Sequence, residues 1–206
     1  MNSQAGFWHW PKDTNLILIK PRGDFRFTHL IHKMTTIIAA TNRELSNTMK
    51  LAKYYQQQLS LKGHDAEILS LTELPDNLIH TDLYGKRSEE FQIIQDKVTA
   101  TTKFIFVIPE YNGSFPGVLK TFVDACKFPE SFYGKKAILV GLSSGKYGNV
   151  RGIDHFTGIC HYINMHVLPL RIHIPSINAE FDADGNLFKE DTVRFTEQQM
   201  GMILDF

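Results

Sequence analysis

The chain has 206 residues, its 22 Lys and Arg balance 22 Asp and Glu, and 43% of it is hydrophobic. Those figures suit one medium domain with a sizeable core and exclude wholesale disorder. Zero net charge gives no general electrostatic reason to bind nucleic acid or an anionic membrane. No apolar run reaches the roughly 20 residues of a spanning helix or the roughly 7 to 15 of a signal-peptide core, so the expectation is a soluble, cytoplasmic protein with neither nucleic acid nor membrane as partner.

Residues 1–33 hold both tryptophans (Trp8, Trp10), Pro11 and Pro21, and show little periodicity beyond Leu16 to Lys20. Five basic residues (Lys12, Lys20, Arg22, Arg26, Lys33) face Asp13 and Asp24 there, giving +3, and the remainder is −3. Five dispersed charges make a weak patch for an anionic partner. The segment reads instead as an extension outside the domain, which is expected to span 34–206.

From Met34 onward strand and helix signals alternate, the pattern of a parallel sheet covered on both faces. Thr36–Thr41 is a β-branched strand. Ser46–Lys62 follows as a helix with Leu51, Ala52, Tyr55 and Leu59 on one stripe, Ser46 as N-cap and Gly63 just past its end. A second strand is expected over Ala66–Leu71. A helix over Ser88–Thr101 carries Phe91, Ile94 and Val98, and Lys103–Ile108 is a continuous apolar strand, the kind buried on both faces. Pro116 opens a helix with Val118, Leu119, Phe122, Val123 and Cys126 inward. Ala137–Leu142 is a fourth strand, Ile153–Ile163 a helix, Leu168–Ile174 a fifth strand, and a last helix begins near Thr192.

In such sheets ligands bind outside the carboxyl ends of the strands, so the loops after strands one, three and four matter most. The first, Thr41-Asn42-Arg43-Glu44-Leu45-Ser46-Asn47-Thr48, is rich in hydroxyls and amides and runs into a helix N-terminus. That is a setting for a phosphate, with Arg43, Ser46 and Thr48 as further donors. The other reading is that Ser46 and Thr48 only cap the helix and Arg43 is a solvated charge. Without P-loop glycines, a Lys or G-x-G-x-x-G, a single phosphate monoester fits better than a triphosphate or dinucleotide. The second loop, Pro109-Glu110-Tyr111-Asn112-Gly113-Ser114-Phe115-Pro116-Gly117, and the third, running from Ser143, Ser144 and Gly145 to Gly152, suit a planar heterocycle. Tyr111 or Tyr147 can flank its face, and glycines admit the backbone. Each loop by itself is also readable as turns and nothing more.

Three motifs, TNRELSNT, PEYNGSFPGVLKTFVDA and SSGKYGNVRG, resemble those of the NAD(P)H-dependent FMN reductases of flavodoxin-like fold, over Met34 to about Arg171. The resemblance implies a three-layer sandwich around a five-stranded parallel sheet of order 2-1-3-4-5. It implies bound FMN, with Thr41, Arg43, Ser46, Asn47 and Thr48 on the phosphate. Pro109, Glu110, Tyr111, Asn112 and Gly113 then lie beside the flavin and its ribityl chain, and Ser143, Ser144 and Gly145 at the pyrimidine edge. It further implies NADPH or NADH as hydride donor, and a small acceptor such as a quinone, azo compound, metal oxyanion or free flavin. A homodimer or dimer of dimers is implied too. Two departures stand out: Glu44-Leu45 where many relatives have Pro-Gly, and Asn149 where many have a second glycine. No catalytic acid or base is expected, because the cofactor carries the chemistry. The rival reading is an FMN-binding electron carrier or sensor without nucleotide turnover; such carriers usually show a strongly charged docking surface.

Other residues attract less function. His155, His161, His166 and His173 are spaced six, five and seven apart, so no pair sits one turn apart on a helix face, and no metal site is expected. Cys126 falls on an apolar stripe. Asp182-Ala183-Asp184-Gly185-Asn186 lacks the bidentate Glu of a calcium loop and reads as a turn.

Overall fold

The computed structural model describes residues 34–84 and 87–206, and the reading of residues 1–33 as an extension lies outside them. In chain order the elements are β1 (Met34–Ala39), α1 (Asn47–Leu61), β2 (Ala66–Ser70), α2 (Leu78–Thr81), α3 (Glu89–Ala100), β3 (Thr101–Pro109), α4 (Gly117–Ala125), β4 (Lys136–Leu142), α5 (Val150–Tyr162), β5 (His166–Val167), β6 (Ile172–Ile174) and α6 (Glu190–Asp205). The strands pair in parallel in the order β2-β1-β3-β4, and β5 and β6 both lie on the outer side of β4. This is the flavodoxin-like order 2-1-3-4-5.

Alternation along the strands builds two cores. Ile37, Ala39, Ile105, Val107, Ile138 and Val140 face α1 and α6, where Leu51, Tyr55, Leu59, Met200 and Ile203 meet them. Ile38, Phe104, Phe106, Ile108 and Leu139 face α3, α4 and α5 through Phe91, Ile94, Val98, Leu119, Phe122, Ile153 and Phe156. Each such side chain, fully buried, contributes about 1.5–3 kcal/mol relative to exposure. An aromatic chain then runs outward: Phe106 meets Phe156 edge-on at 4.9 Å, and Phe156 meets Phe115 at 5.6 Å. It anchors the second loop, just beyond the end of β3, to α5.

Local chemistry sets the helix starts. Ser46 accepts a hydrogen bond from the Met49 N–H, and Ser88 one from the Phe91 N–H, as N-caps do. Pro116 stands at the N-cap of α4 rather than inside it. α5 begins at Val150, three residues before the expected Ile153, because Asn149 takes a left-handed conformation (φ 65°) and turns the chain into the helix early. The short helix α2 had no apolar period to announce it.

The fifth strand requires a correction. Expected as one run over Leu168–Ile174, it starts at His166 and is interrupted from Leu168 to Arg171. Three steps along β4, Ala137 to Val140, match five along the edge, Val167 to Ile172, so the edge carries a bulge. Pro169 sits in it, with no N–H to give to the ladder. The α6 side chain of Gln199, fully buried, repairs the gap: its Nε2 donates to the carbonyls of Leu139 (3.2 Å) and Leu170 (2.8 Å), and its Oε1 accepts from the Tyr55 hydroxyl (2.8 Å). Gln199→Leu strips hydrogen bonds from two buried groups, the Tyr55 hydroxyl and the Leu139 carbonyl, and from the half-buried Leu170 carbonyl, and each buried group left unpaired costs about 1–3 kcal/mol. We expect a loss of roughly 2–6 kcal/mol in urea unfolding; a change below about 0.5 kcal/mol would show that the bulge needs no such repair.

Candidate functional site

Between β1 and β3 the sheet order reverses, so α1 and α4 leave to opposite faces and a crevice opens above the strand ends. A cleft of about 290 Å³ lies there. All three loops singled out in the sequence line it.

From the first loop it takes Thr41, Arg43, Ser46, Asn47 and Thr48, together with Glu44 and Leu45. The Thr41 hydroxyl accepts from the Arg43 N–H (3.2 Å) and lies 2.6 Å from the Tyr111 hydroxyl. The Arg43 guanidinium stands 4.6 Å from the centre of the Tyr111 ring, a cation–π contact. The N–H groups of Ser46, Asn47 and Thr48 have no acceptor among the described residues, as expected where a helix begins. They and the positive end of the α1 dipole make one end of the cleft a place for an anion.

From the second loop Pro109, Glu110 and Tyr111 line the cleft, and Asn112 and Gly113 stand just outside it. Both of the latter have positive φ, 51° and 77°, and paired backbone hydrogen bonds of 2.9 and 3.0 Å join Tyr111 to Ser114 across them. The pair is a type I′ turn, a conformation that asks for Asn-Gly. It aims Tyr111 into the cleft.

From the third loop Ser143 and Ser144 line the cleft and Gly145 does not. Ser143 spends its groups inside the fold: its N–H on Ile174, its carbonyl on the Ile177 N–H, its hydroxyl on the Gly145 carbonyl and the Gly148 N–H. The N–H groups of Ser144 and Gly145 have no acceptor among the described residues. Asn149, fully buried, donates its amide to the Ile108 carbonyl at 3.0 Å, so the residue in the glycine position ties this loop to β3.

Three further contributors were not foreseen: Leu142, Ile177 and, behind the lining, Asn178. The turn after β6 staples two loops together, since Asn178 Oδ1 accepts from Asn47 Nδ2 at 2.6 Å and Ile177 donates to Ser143. The topological rule directs attention to strands one, three and four, and this turn follows the fifth.

The cysteines and the Asp182 turn lie away from the cleft lining. Burial pushes both Cys126 and Cys160 up to about 12, which keeps them thiols at neutral pH. Asp182 accepts from the N–H groups of Asp184 and Asn186, closing a turn. Among the described residues no group of three or more His, Cys, Asp or Glu is arranged to hold a metal, and no helix is long and apolar enough to cross a membrane.

Comparison with known proteins follows the same residues. The family model described as NADPH-dependent FMN reductase matches residues 34–178, which contain every loop of the cleft. The chain belongs to this family. It is an NAD(P)H-dependent, FMN-using oxidoreductase. An NAD(P)H-dependent FMN reductase of Pseudomonas aeruginosa is 30% identical over 142 residues, 67% of this chain and 76% of that protein. A 2-hydroxy-1,4-benzoquinone reductase of a Burkholderia species is 25% identical, covering 82% of this chain and 92% of its own length. A crystallographic neighbour in fold is the NAD(P)H:(acceptor) oxidoreductase of Paracoccus denitrificans, with a TM-score of 0.71, 22% identity, and coverage of 84% of this chain and 96% of that one.

Within this FMN reductase the Glu44-Leu45 departure has a structural cost. Leu45 holds φ 48° while 99% exposed, so the backbone keeps a left-handed turn suited to glycine and gains no burial in return. A left-handed conformation costs an L-residue about 1–2 kcal/mol, and glycine gives part of that back through its freer unfolded chain. We expect Leu45→Gly to stabilise the protein by roughly 0.5–1 kcal/mol in thermal unfolding. A loss of stability would mean that the Leu45 side chain has a partner.

Proposed function

We propose that the cleft binds FMN with its phosphate at the N-terminus of α1, and that the physiological acceptor is a quinone. One observation carries the binding reading: N–H groups without an acceptor among the described residues stand on two of the loops lining one cleft, at Ser46, Asn47 and Thr48 on the first and at Ser144 on the third. The donor set suits a phosphate monoester at the first loop and the polar edge of a heterocycle at the third. Support for the quinone is the relative named as a benzoquinone reductase, which aligns with most of this chain.

When bound, FMN would supply the redox chemistry that links NAD(P)H to the acceptor. The chain's own residues bind and orient. Thr48, Ser46 and Arg43 add hydroxyl and guanidinium donors to the backbone N–H groups, and Thr41 fixes the hydroxyl of Tyr111 beside the ribityl path. Glu44 brings a carboxylate to the same end and lowers phosphate affinity by repulsion. Pro109, Glu110 and Tyr111 wall the ring, and the Asn112-Gly113 turn keeps Tyr111 in place. The Ser144 N–H would meet the pyrimidine edge, with the Gly145 N–H beside it and Ser143 shaping the loop. Such donors favour the charge that the reduced ring carries. No side chain is assigned a proton-transfer role. We propose further that the enzyme works in the cytoplasm as a homodimer or a dimer of dimers, an assembly implied by the resemblance to its family.

The carrier alternative lacks support from charge, since residues 34–206 sum to only −3, a weak field for steering a protein partner. Mixing the FMN-loaded protein with NADH or NADPH without oxygen will bleach the flavin, and a benzoquinone will restore its colour. Steady-state plots at several quinone concentrations will be parallel, as for a ping-pong enzyme. Protein that stays yellow for minutes under excess of both nucleotides would instead be a carrier or sensor.

A further inference from the structure

Arg151 and His155 lie four residues apart in α5 and share one face of the helix. That face meets the Tyr111–Ser114 turn. Arg151 Nη1 lies 4.0 Å from where a Cβ on Gly113 would stand, and His155 Nδ1 is 2.9 Å from the Ser114 hydroxyl. With the hydroxyl donating to Nδ1, the imidazole keeps Nε2–H as a second donor. Gly152 makes the approach possible: a Cβ there would fall 2.6 Å from the Ser114 carbonyl carbon and 2.7 Å from the Phe115 nitrogen.

Several other cations are occupied in other ways, while Lys146 of the third loop is exposed and, like Arg151, outside the ion pairs of the described residues. Lys120 pairs with Asp124 at 2.7 Å, Arg171 with Asp154 at 2.6 Å, and Arg43 stands over Tyr111. Arg151 is exposed and has no carboxylate within ion-pair distance among the described residues. An exposed guanidinium beside the turn that carries Tyr111, without a counter-charge among the described residues and one helical turn from an imidazole, suits a phosphate dianion. The flavin phosphate is assigned to the far side of Tyr111, at α1. The two nicotinamide donors differ by one phosphate on the adenosine ribose.

We infer that Arg151, assisted by His155, binds the 2′-phosphate of NADPH and sets the preference for NADPH over NADH. This rests on the proposal that the nicotinamide reaches the flavin in the cleft.

Two measurements on the FMN-loaded protein test it separately from that proposal. In calorimetric titrations the wild type should bind 2′,5′-ADP more tightly than 5′-AMP, and Arg151→Ala should erase the difference, a loss of about tenfold at low salt. The advantage should shrink as ionic strength rises, because the site is exposed. In steady-state assays the same variant should raise KM for NADPH about tenfold and leave the NADH constants and FMN content unchanged. Arg151→Lys should keep part of the preference as a point charge. Equal binding of the two adenosine nucleotides by the wild type, or equal effects of Arg151→Ala on both, overturns the inference. If neither nucleotide is oxidised while 2′,5′-ADP discrimination persists and depends on Arg151, the reductase reading fails and the phosphate site stands.

Discussion

Everything functional in this fold depends on one topological constraint. β1 and β3 are hydrogen-bonded neighbours, but the chain leaves them toward opposite faces of the sheet. No helix can cover the space between, and the backbone donors there have no strand left to pair with. Such groups must be satisfied by side chains, solvent or a ligand. The cleft is therefore a consequence of strand order, and its chemistry follows from the N–H groups that the order leaves open. The two cores hold β1 and β3 rigid beneath it, and the aromatic chain Phe106–Phe156–Phe115 extends that rigidity to the second loop.

Around this constraint the chain trades stability for the shape of its loops. Leu45 sits in a left-handed turn with no packing to offset it, and Asn149 does the same at φ 65° but gains a hydrogen bond to the Ile108 carbonyl. The two departures from the family pattern thus differ in kind. Glu44 puts a carboxylate beside the anion end of the cleft. Asn149 ties the third loop to β3.

The sheet and most of the lining of the candidate cleft were legible in the sequence for a physical reason: parallel buried strands are short apolar runs, and amphipathic helices repeat every three to four residues. Caps at Ser46 and Ser88 marked helix starts because a single hydroxyl does that work locally. Ten of the thirteen site residues named in advance line the cleft. Asn112 and Gly113 do not, since their left-handed backbone serves the turn, and Gly145 is outside the lining as well. The bulge in the fifth strand was not legible. Pro169 hinted at it, but the repair comes from Gln199, thirty positions away and on another element. The Ile177-Asn178 staple was missed for the same reason: no local pattern announces a contact with Asn47 across 131 positions.

The account stands most directly on where the flavin phosphate sits. Arg43 is the side-chain cation that lines the anion end of the cleft, and a hydrogen bond to a charged group is worth about 1.5–3 kcal/mol, roughly 10- to 150-fold in affinity. Measured by fluorescence titration, Arg43→Ala should lose at least tenfold in FMN binding and almost nothing in riboflavin binding, since riboflavin has no phosphate. An equal loss for both ligands would mean that Arg43 acts only by holding Tyr111, and would contradict a phosphate at the start of α1.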